Sequence, residues 1–398
     1  MKRPIAILKP GREVPIRAGH PWVFSMGIDT PPQAEAGELV EVRAHNGTSL
    51  GVAQWNPRTN IRLRMMDRDP AATIDAAWFA ARLAESVEAR AAFLPPQTTG
   101  FRVLHAEADG VPGLVVDRYA DVVVFQISTA GMDRLRGAVV EGIRAALAPR
   151  AIVERSDLDV RRMEGLFDQP VAVRLGSVDG PVPFLEAGLR FEADVLKGQK
   201  TGFFLDQRDA RLAVGKLAGG RRVLNLFSYA GAFGVHAAAG DASFVANVDA
   251  SAPALELAGR ALRGNGFDPE DEKRFLLLEA DVFDLLADPN PPGGPYDLII
   301  CDPPALAKTE AHLPQAMKAY LSLNRRCLER LPSGGILVTS SCSGRVTLED
   351  FRDVLRIAAG QSGKTVQALS WITQPVDHPE RLAFPEGRYL KTAVLRVV

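Results

Sequence analysis

Cysteine is scarce in this chain of 398 residues: Cys301, Cys327 and Cys342 are all there is. Three thiols at such spacings make neither a disulfide framework nor a metal-binding pattern. They point instead to a reducing, cytoplasmic setting. Charge of one sign is lacking too. A formal net charge of -1 excludes binding to nucleic acid by overall charge alone, while leaving a local basic face open. No apolar run approaches membrane-spanning length. The short apolar stretch after Met1-Lys2-Arg3-Pro4 is broken at Lys9-Pro10-Gly11, too soon for a signal peptide. No metal ligand set, internal repeat or low-complexity segment stands out. What remains is ordinary globular composition, 46% apolar and 24% charged, in a chain long enough for two or three domains.

Residues 1–70 read as a small β domain. Short apolar runs at Ile5–Leu8, Leu39–Val42, Ser49–Ala53 and Ile61–Met65 are separated by the turn signals Pro10-Gly11, Pro31-Pro32, Asn46-Gly47 and Asn56-Pro57. Up to position 64, nine basic residues face five acidic ones. Lys9, Arg12 and Arg17, interleaved with His20, Trp22, Phe24 and Trp55, could meet phosphates and stack on bases. The same residues would equally suit a small barrel with an aromatic core and solvated arginines. The sequences Lys9-Pro10-Gly11-Arg12 and Gly19-His20-Pro21-Trp22-Val23-Phe24, with Gly37-Glu38 opening a strand, resemble a PUA domain, an RNA-binding β-barrel. The resemblance implies RNA contacts at Lys9, Arg12, Arg17, His20 and Trp22.

Residues 73–185 read as an α+β middle domain. Phe79, Leu83 and Val87 recur at helical spacing within Ile74–Phe93. The runs from Gly113 to Asp117 and from Val122 to Ile127 form a hairpin, and Met132–Leu147 a second helix. Asp168–Pro183, rich in proline and glycine, reads as a linker.

From about residue 186 to 398, strands alternate with helices, the pattern of a doubly wound parallel sheet. Asp206 is expected to cap a helix. The strand Val223–Phe227 leads into Ser228-Tyr229-Ala230-Gly231-Ala232-Phe233-Gly234. The strand Phe244–Val248 ends at Asp249, followed by Ser251 as a helix cap. Phe275–Leu278 leads to Asp281, and Leu298–Cys301 runs into Asp302-Pro303-Pro304. In open α/β sheets ligands bind at the carboxyl ends of the strands. The glycine loop lacks the full G-x-G-x-x-G of a dinucleotide site, which favours a nucleoside ligand without a pyrophosphate, such as S-adenosylmethionine. Phe227, Ser228 and Gly231 would then form its loop, Asp249 and Ser251 its ribose contacts, Asp281 its adenine contact, and Asp302 and Pro303 its far edge.

Cys342 lies in a Ser/Gly-rich loop just past the strand Gly335–Thr339, with Arg345 as electropositive help. A thiolate there could add to carbon 6 of a pyrimidine and make carbon 5 nucleophilic. Cys301, inside a strand, and Cys327, on an amphipathic helix, read as buried hydrophobes.

Lys200-Thr201-Gly202-Phe203-Phe204-Leu205-Asp206-Gln207-Arg208, Asn225–Gly231, Asp302-Pro303-Pro304 and Ser341-Cys342-Ser343-Gly344 resemble the bacterial large-subunit rRNA cytosine-5 methyltransferases with an N-terminal PUA domain. The similarity continues through Asp377-His378-Pro379 and Pro385–Lys391. It implies a class I, Rossmann-like methyltransferase fold, S-adenosylmethionine as donor, and transfer to carbon 5 of a cytosine in 23S rRNA. Cys342 would be the nucleophile and Asp302 the active-site carboxylate. The implied partner is 23S rRNA or a large-subunit assembly intermediate, with no membrane and with a homodimer left open. Many RNA cytosine-5 methyltransferases carry a second cysteine directly after Pro-Pro. Here that residue is Ala305, and the lysine that often follows is shifted to Lys308. Two other readings stay open: a guanine or adenine N-methyltransferase, and an RNA-binding ribosome-assembly factor with little catalysis.

Overall fold

The structure is a computed structural model that describes residues 2–288, 290–307 and 309–398. It divides into two compact units. The first comprises Met1–Ala187, Ala193–Leu205 and Val376–Gly387; the second comprises Gly188–Glu192, Asp206–Pro375 and Arg388–Val398.

The first unit holds two sheets. One has six strands in the spatial order Trp22–Phe24, Ile61–Asp67, Ser49–Trp55, Leu39–Arg43, Ile5–Leu8 and Ile28–Thr30. Its alternating side chains close a small core around Leu8, Val40, Val42, Ala53 and Leu63. The other has five strands, with the antiparallel pair Leu114–Tyr119 and Val122–Ile127 at its centre. The helix Ala76–Ala91, capped by Asp75, packs Phe79 and Leu83 into this second core. The expected helix Met132–Leu147 is split at Leu135 into Ala130–Arg134 and Arg136–Leu147. The expected linker Asp168–Pro183 contains a strand, Ala172–Leu175, paired antiparallel to Ala151–Glu154. Its valine and leucine supply an edge strand that the turn-rich composition around them conceals.

The second unit is built on seven strands: β1 (Arg222–Leu226), β2 (Phe244–Asp249), β3 (Phe275–Glu279), β4 (Leu298–Cys301), β5 (Ile336–Ser341), β6 (Val366–Ile372) and β7 (Lys391–Val397). Their spatial order is β3-β2-β1-β4-β5-β7-β6. All neighbours from β3 to β5 are parallel, and β7 runs antiparallel between β5 and β6. The crossovers include α1 (Arg208–Leu217), α2 (Ala232–Ala239), α3 (Ala252–Gly264), α4 (Leu313–Arg330) and α5 (Leu348–Gln361). This is the doubly wound class I methyltransferase arrangement expected from the alternating pattern.

β4 is central, and its continuous apolar run reflects that. Leu298, Ile299, Ile300 and Cys301 are all at most 1% exposed. Burial of each aliphatic side chain is worth about 1.5–3 kcal/mol, which fixes the strand and therefore the position of the residue that follows it.

Candidate active site

The strand order reverses between β1 and β4, and the site forms where those strands end. β1 and β2 are tied there by a buried hydrogen bond from Asn225 Nδ2 to Asn247 Oδ1, 2.8 Å, in matched register. The loop after β1 is unusual. Phe227 (φ 56°), Tyr229 (φ 46°) and Gly231 (φ 69°) all lie in the left-handed region. Two of the three carry large side chains that disfavour it. Strain of this kind persists where the surroundings enforce it, commonly around a ligand. Gly231 is also sterically required, because a Cβ there would meet Ala258 Cβ at 2.6 Å. The loop is held by Ser228 N donating to Val248 O and Gly231 N donating to Ser228 O.

Asp249 ends β2. Its two carboxylate oxygens accept from Tyr229 N (2.8 Å) and Ser251 N (3.0 Å). Each oxygen keeps a second lone pair, so the acid is oriented yet able to accept from a pair of hydroxyls. Ser251 caps α3 through Ala254 N, with proline in the first turn. Asp281 stands two residues past the end of β3 and not at the strand end itself. Its Oδ1 caps the single turn Val282–Leu285 by accepting from Phe283 N and Asp284 N. Phe227 packs edge-on to Phe283, centroids 6.2 Å apart.

These residues fit a nucleoside-bearing cofactor. The Ser228 Oγ is buried with no hydrogen-bond partner among the described residues, a polar atom left for a ligand or solvent. Among the described residues no group of three or more His, Cys, Asp or Glu is placed to hold a metal ion.

Asp302 follows β4, half-buried, and Gln207 Nε2 donates to its Oδ1 at 2.7 Å. Gln207 is the residue before α1. Asp206 was expected to cap that helix; it sits one position earlier and accepts from the Tyr389 hydroxyl at 2.9 Å. Register aligns Cys301 with Thr339, and β5 continues to Ser341, so Cys342 begins the loop beside the Asp-Pro-Pro segment. Its thiol lies 3.9 Å from the Pro303 carbonyl oxygen.

The three cysteines differ sharply. Cys301 and Cys327 are wholly buried, and Cys342 is half-buried. The Cys301 thiol is pushed well above its ordinary value by its contact with Cys327 and by burial. Arg345, the expected electropositive neighbour of Cys342, instead pairs with Glu310 at 3.4 Å, and both side chains are largely exposed. The cation beside the thiol is Lys391, at the start of β7 opposite Ser341. It is 7% exposed, and its ammonium donates to the carbonyls of Ser343 (2.8 Å) and Val346. Burial lowers its pKa to about 8, while negative charge on Cys342 pulls it back up. The loop is braced further by Tyr320, whose hydroxyl meets Ser341 Oγ (3.1 Å) and Ser343 Oγ (3.2 Å). Lys391 lies within a sequence run noted only for its resemblance. The one local signal is a lysine just ahead of the apolar run Ala393-Val394-Leu395.

Lys308 lies outside the described residues. Ala305 is exposed after the two prolines.

In the first unit, Lys9, Arg12 and Arg17 have exposed side chains. His20 and Trp22 are half-buried. The Trp22 indole packs on Phe384 at 4.6 Å and donates to Glu107 Oε1 at 3.0 Å, and His20 approaches Glu386 at 3.4 Å. Both rings are therefore engaged by neighbours in the same unit.

A family model for S-adenosylmethionine-dependent methyltransferases matches residues 178–361, and one for PUA-like domains matches residues 6–68. The chain is 40% identical over 398 residues to ribosomal RNA large subunit methyltransferase I of Shewanella denitrificans, covering 98% of each chain. It is 38% identical over 388 residues to the enzyme of that name from Aeromonas salmonicida, covering 97% of each. In fold it is similar to a SAM-dependent methyltransferase candidate from Streptococcus mutans (TM-score 0.82, 23% identity, all of both chains). A methyltransferase candidate solved in complex with SAH is equally similar in fold (TM-score 0.83, 24% identity, all of both chains). With a class I sheet, a nucleoside-type loop and these relatives spanning its length, the chain belongs to the ribosomal RNA large subunit methyltransferase I family, whose cofactor is S-adenosylmethionine.

Proposed function

We propose that the protein methylates carbon 5 of a cytosine in large-subunit rRNA, with Cys342 as the covalent nucleophile. The supporting observation is the thiol's setting: half-buried at a strand end, 3.9 Å from the Pro303 carbonyl, with a buried lysine beside it. The names of the relatives support the rRNA substrate.

S-adenosylmethionine, when bound, supplies an electrophilic methyl group on a sulfonium. Phe227, Ser228 and Gly231 would shape its seat, Asp249 would accept from its ribose hydroxyls, and Ser251, Asp281 and Pro303 would line the remainder. The Lys391 ammonium favours the Cys342 thiolate over the thiol. The thiolate adds to carbon 6 of the cytosine, and the electron pair displaced onto the ring makes carbon 5 nucleophilic. Asp302, oriented by Gln207, accepts a hydrogen bond from the base edge and holds the adduct. Carbon 5 would then be methylated, and passage of its proton to solvent water with cleavage of the sulfur–carbon bond would restore the ring and the thiolate. The target base must leave its stack to reach such a pocket.

In this reading residues 1–70 grip RNA, with Lys9, Arg12 and Arg17 meeting phosphates and His20 and Trp22 shaping that face. Residues 73–185 form the middle domain and 186–398 the catalytic domain. The enzyme acts in the cytoplasm on 23S rRNA or an assembly intermediate. Incubation with rRNA carrying tritium at cytosine carbon 5 tests the reaction: tritium should be released in step with methyl transfer. Methyl transfer without tritium release would place the methyl on a nitrogen and remove Cys342 from the chemistry.

A further inference from the structure

The first unit contains a cavity of about 290 Å³ beside Gly19, lined by Ile16, Pro21, Met65, Arg68 and Arg381 among others. Its chemistry is uneven. The cavity wall includes two carboxylates, and both are already engaged. Asp67 accepts from Trp78 Nε1 (2.8 Å) and Arg82 (3.3 Å). Asp109 accepts from Arg90 (2.6 Å) and from His105 N (2.5 Å). Of the three guanidiniums in the wall, Arg82 is paired with Asp67 and Glu85, whereas Arg68 and Arg381 are not matched in the same way. Arg68 donates to the Arg17 carbonyl (3.3 Å) and Arg381 to the Glu107 carbonyl (3.2 Å), and among the described residues neither forms an ion pair. They converge on one point: a Cβ built on Gly19 would lie 3.7 Å from Arg68 Nη2 and 3.8 Å from Arg381 Nη2.

Two like charges held this close repel each other. Burial, and then the field of Arg68, lower the pKa of Arg381. Each guanidinium carries five donors in a plane, and among the described residues each has a single backbone oxygen as its acceptor. An oxyanion between them would relieve the repulsion and fill the vacant donors, and guanidinium forks match phosphate geometry. Gly19, at φ 105°, keeps the approach clear of a side chain. The apolar floor of Ile16, Pro21 and Met65 suits the sugar or base next to a phosphate better than a free, fully hydrated ion.

We propose that Arg68 and Arg381, next to the Arg17 backbone, form a seat for one backbone phosphate of the RNA substrate, in addition to the exposed side chains of Lys9, Arg12 and Arg17. The inference rests on the reading that the substrate is RNA. The seat fixes where the strand runs on the first unit, and its contact is independent of base identity.

The test is the salt dependence of binding to a labelled single-stranded RNA of mixed sequence, for wild type, Arg68→Gln, Arg381→Gln and a control, Lys216→Gln, on α1 of the other unit. Each phosphate neutralised on a single strand contributes a slope of about 0.7 in log affinity against log salt. Losing the seat should lower the slope by about that amount and weaken binding roughly fivefold at 0.1 M salt. Cofactor affinity, measured by calorimetry, should stay unchanged. Arg68 is exposed and, among the described residues, its side chain bonds only to the Arg17 carbonyl, so its variant tests the seat even where loss of Arg381 disturbs the fold. Wild-type slope and affinity in Arg68→Gln would overturn the seat while leaving the proposed reaction standing. A wild-type protein that binds no RNA would overturn both.

Discussion

Two neighbouring strands of the catalytic sheet end in a cysteine and a polar loop, and they put the same sulfur to opposite use. In β4, Cys301 is the last strand residue, sealed between layers and in contact with Cys327. In β5 the strand extends through Ser341, so Cys342 falls one residue beyond the ladder, half-open and beside an ammonium group. On the proposed chemistry, one position relative to a strand end separates a core atom from a reagent. The inward position raises the thiol pKa through burial; the outward one gives access and a positive neighbour.

The comparison breaks most easily at Cys342. Replacing Cys342 with alanine should lower turnover by more than roughly a thousandfold, with cofactor affinity within about twofold of wild type, as read by methyl transfer to rRNA and by calorimetry. Replacing Asp302 with asparagine keeps the Gln207 contact in part but removes the charge. Turnover should fall about a hundredfold, with little change in RNA affinity. Either variant retaining wild-type turnover would contradict the assignment of that residue.

Lys391 sharpens the contrast. Lys391→Met should slow alkylation of Cys342 by iodoacetamide at neutral pH severalfold, since removing the adjacent ammonium removes a charge that favours the thiolate. The sign follows from the lysine's own titration. Its pKa is depressed to about 8, so the ammonium is present below that value and lost above it. Wild type and Lys391→Met should therefore differ most near neutrality and converge as pH rises past about 8. Lys391→Arg should keep part of the effect. Identical alkylation profiles in wild type and Lys391→Met would remove the lysine from thiol activation. The smallest effect belongs to Cys301→Ala. It should cost about 1 kcal/mol of stability in thermal or denaturant unfolding and leave turnover within about twofold.

Much of this could be read from the sequence, and what escaped did so for a physical reason. The strands β1 to β5 announce themselves as apolar runs, and Asp249 and Asp302 follow from where those runs stop. Asp281 was placed at the end of β3, but the strand stops at Glu279 and the acid serves as a cap for the turn beyond. Strand ends are the least sharply encoded feature of a strand, because the ladder fades over one or two residues. Lys391 was missed as the cation beside Cys342 because the two are neighbours only through antiparallel pairing, which no local pattern encodes. Arg345, close in sequence, was the natural choice, but its side chain turns to Glu310. The left-handed backbone at Phe227 and Tyr229 was hidden for another reason: neither residue type signals that conformation, and only the packed loop imposes it. Asp206 reads as a helix cap by residue type, yet its hydroxyl partner, Tyr389, comes from the far end of the chain.

The most direct test of the central claim is trapping on RNA in which the target cytosine is replaced by 5-fluorocytosine, with S-adenosylmethionine present. Fluorine cannot leave as a proton does, so the adduct should persist, and mass spectrometry of the digested complex should find RNA attached to the peptide containing Cys342. No adduct at Cys342, from a protein that still methylates unmodified RNA, would contradict it.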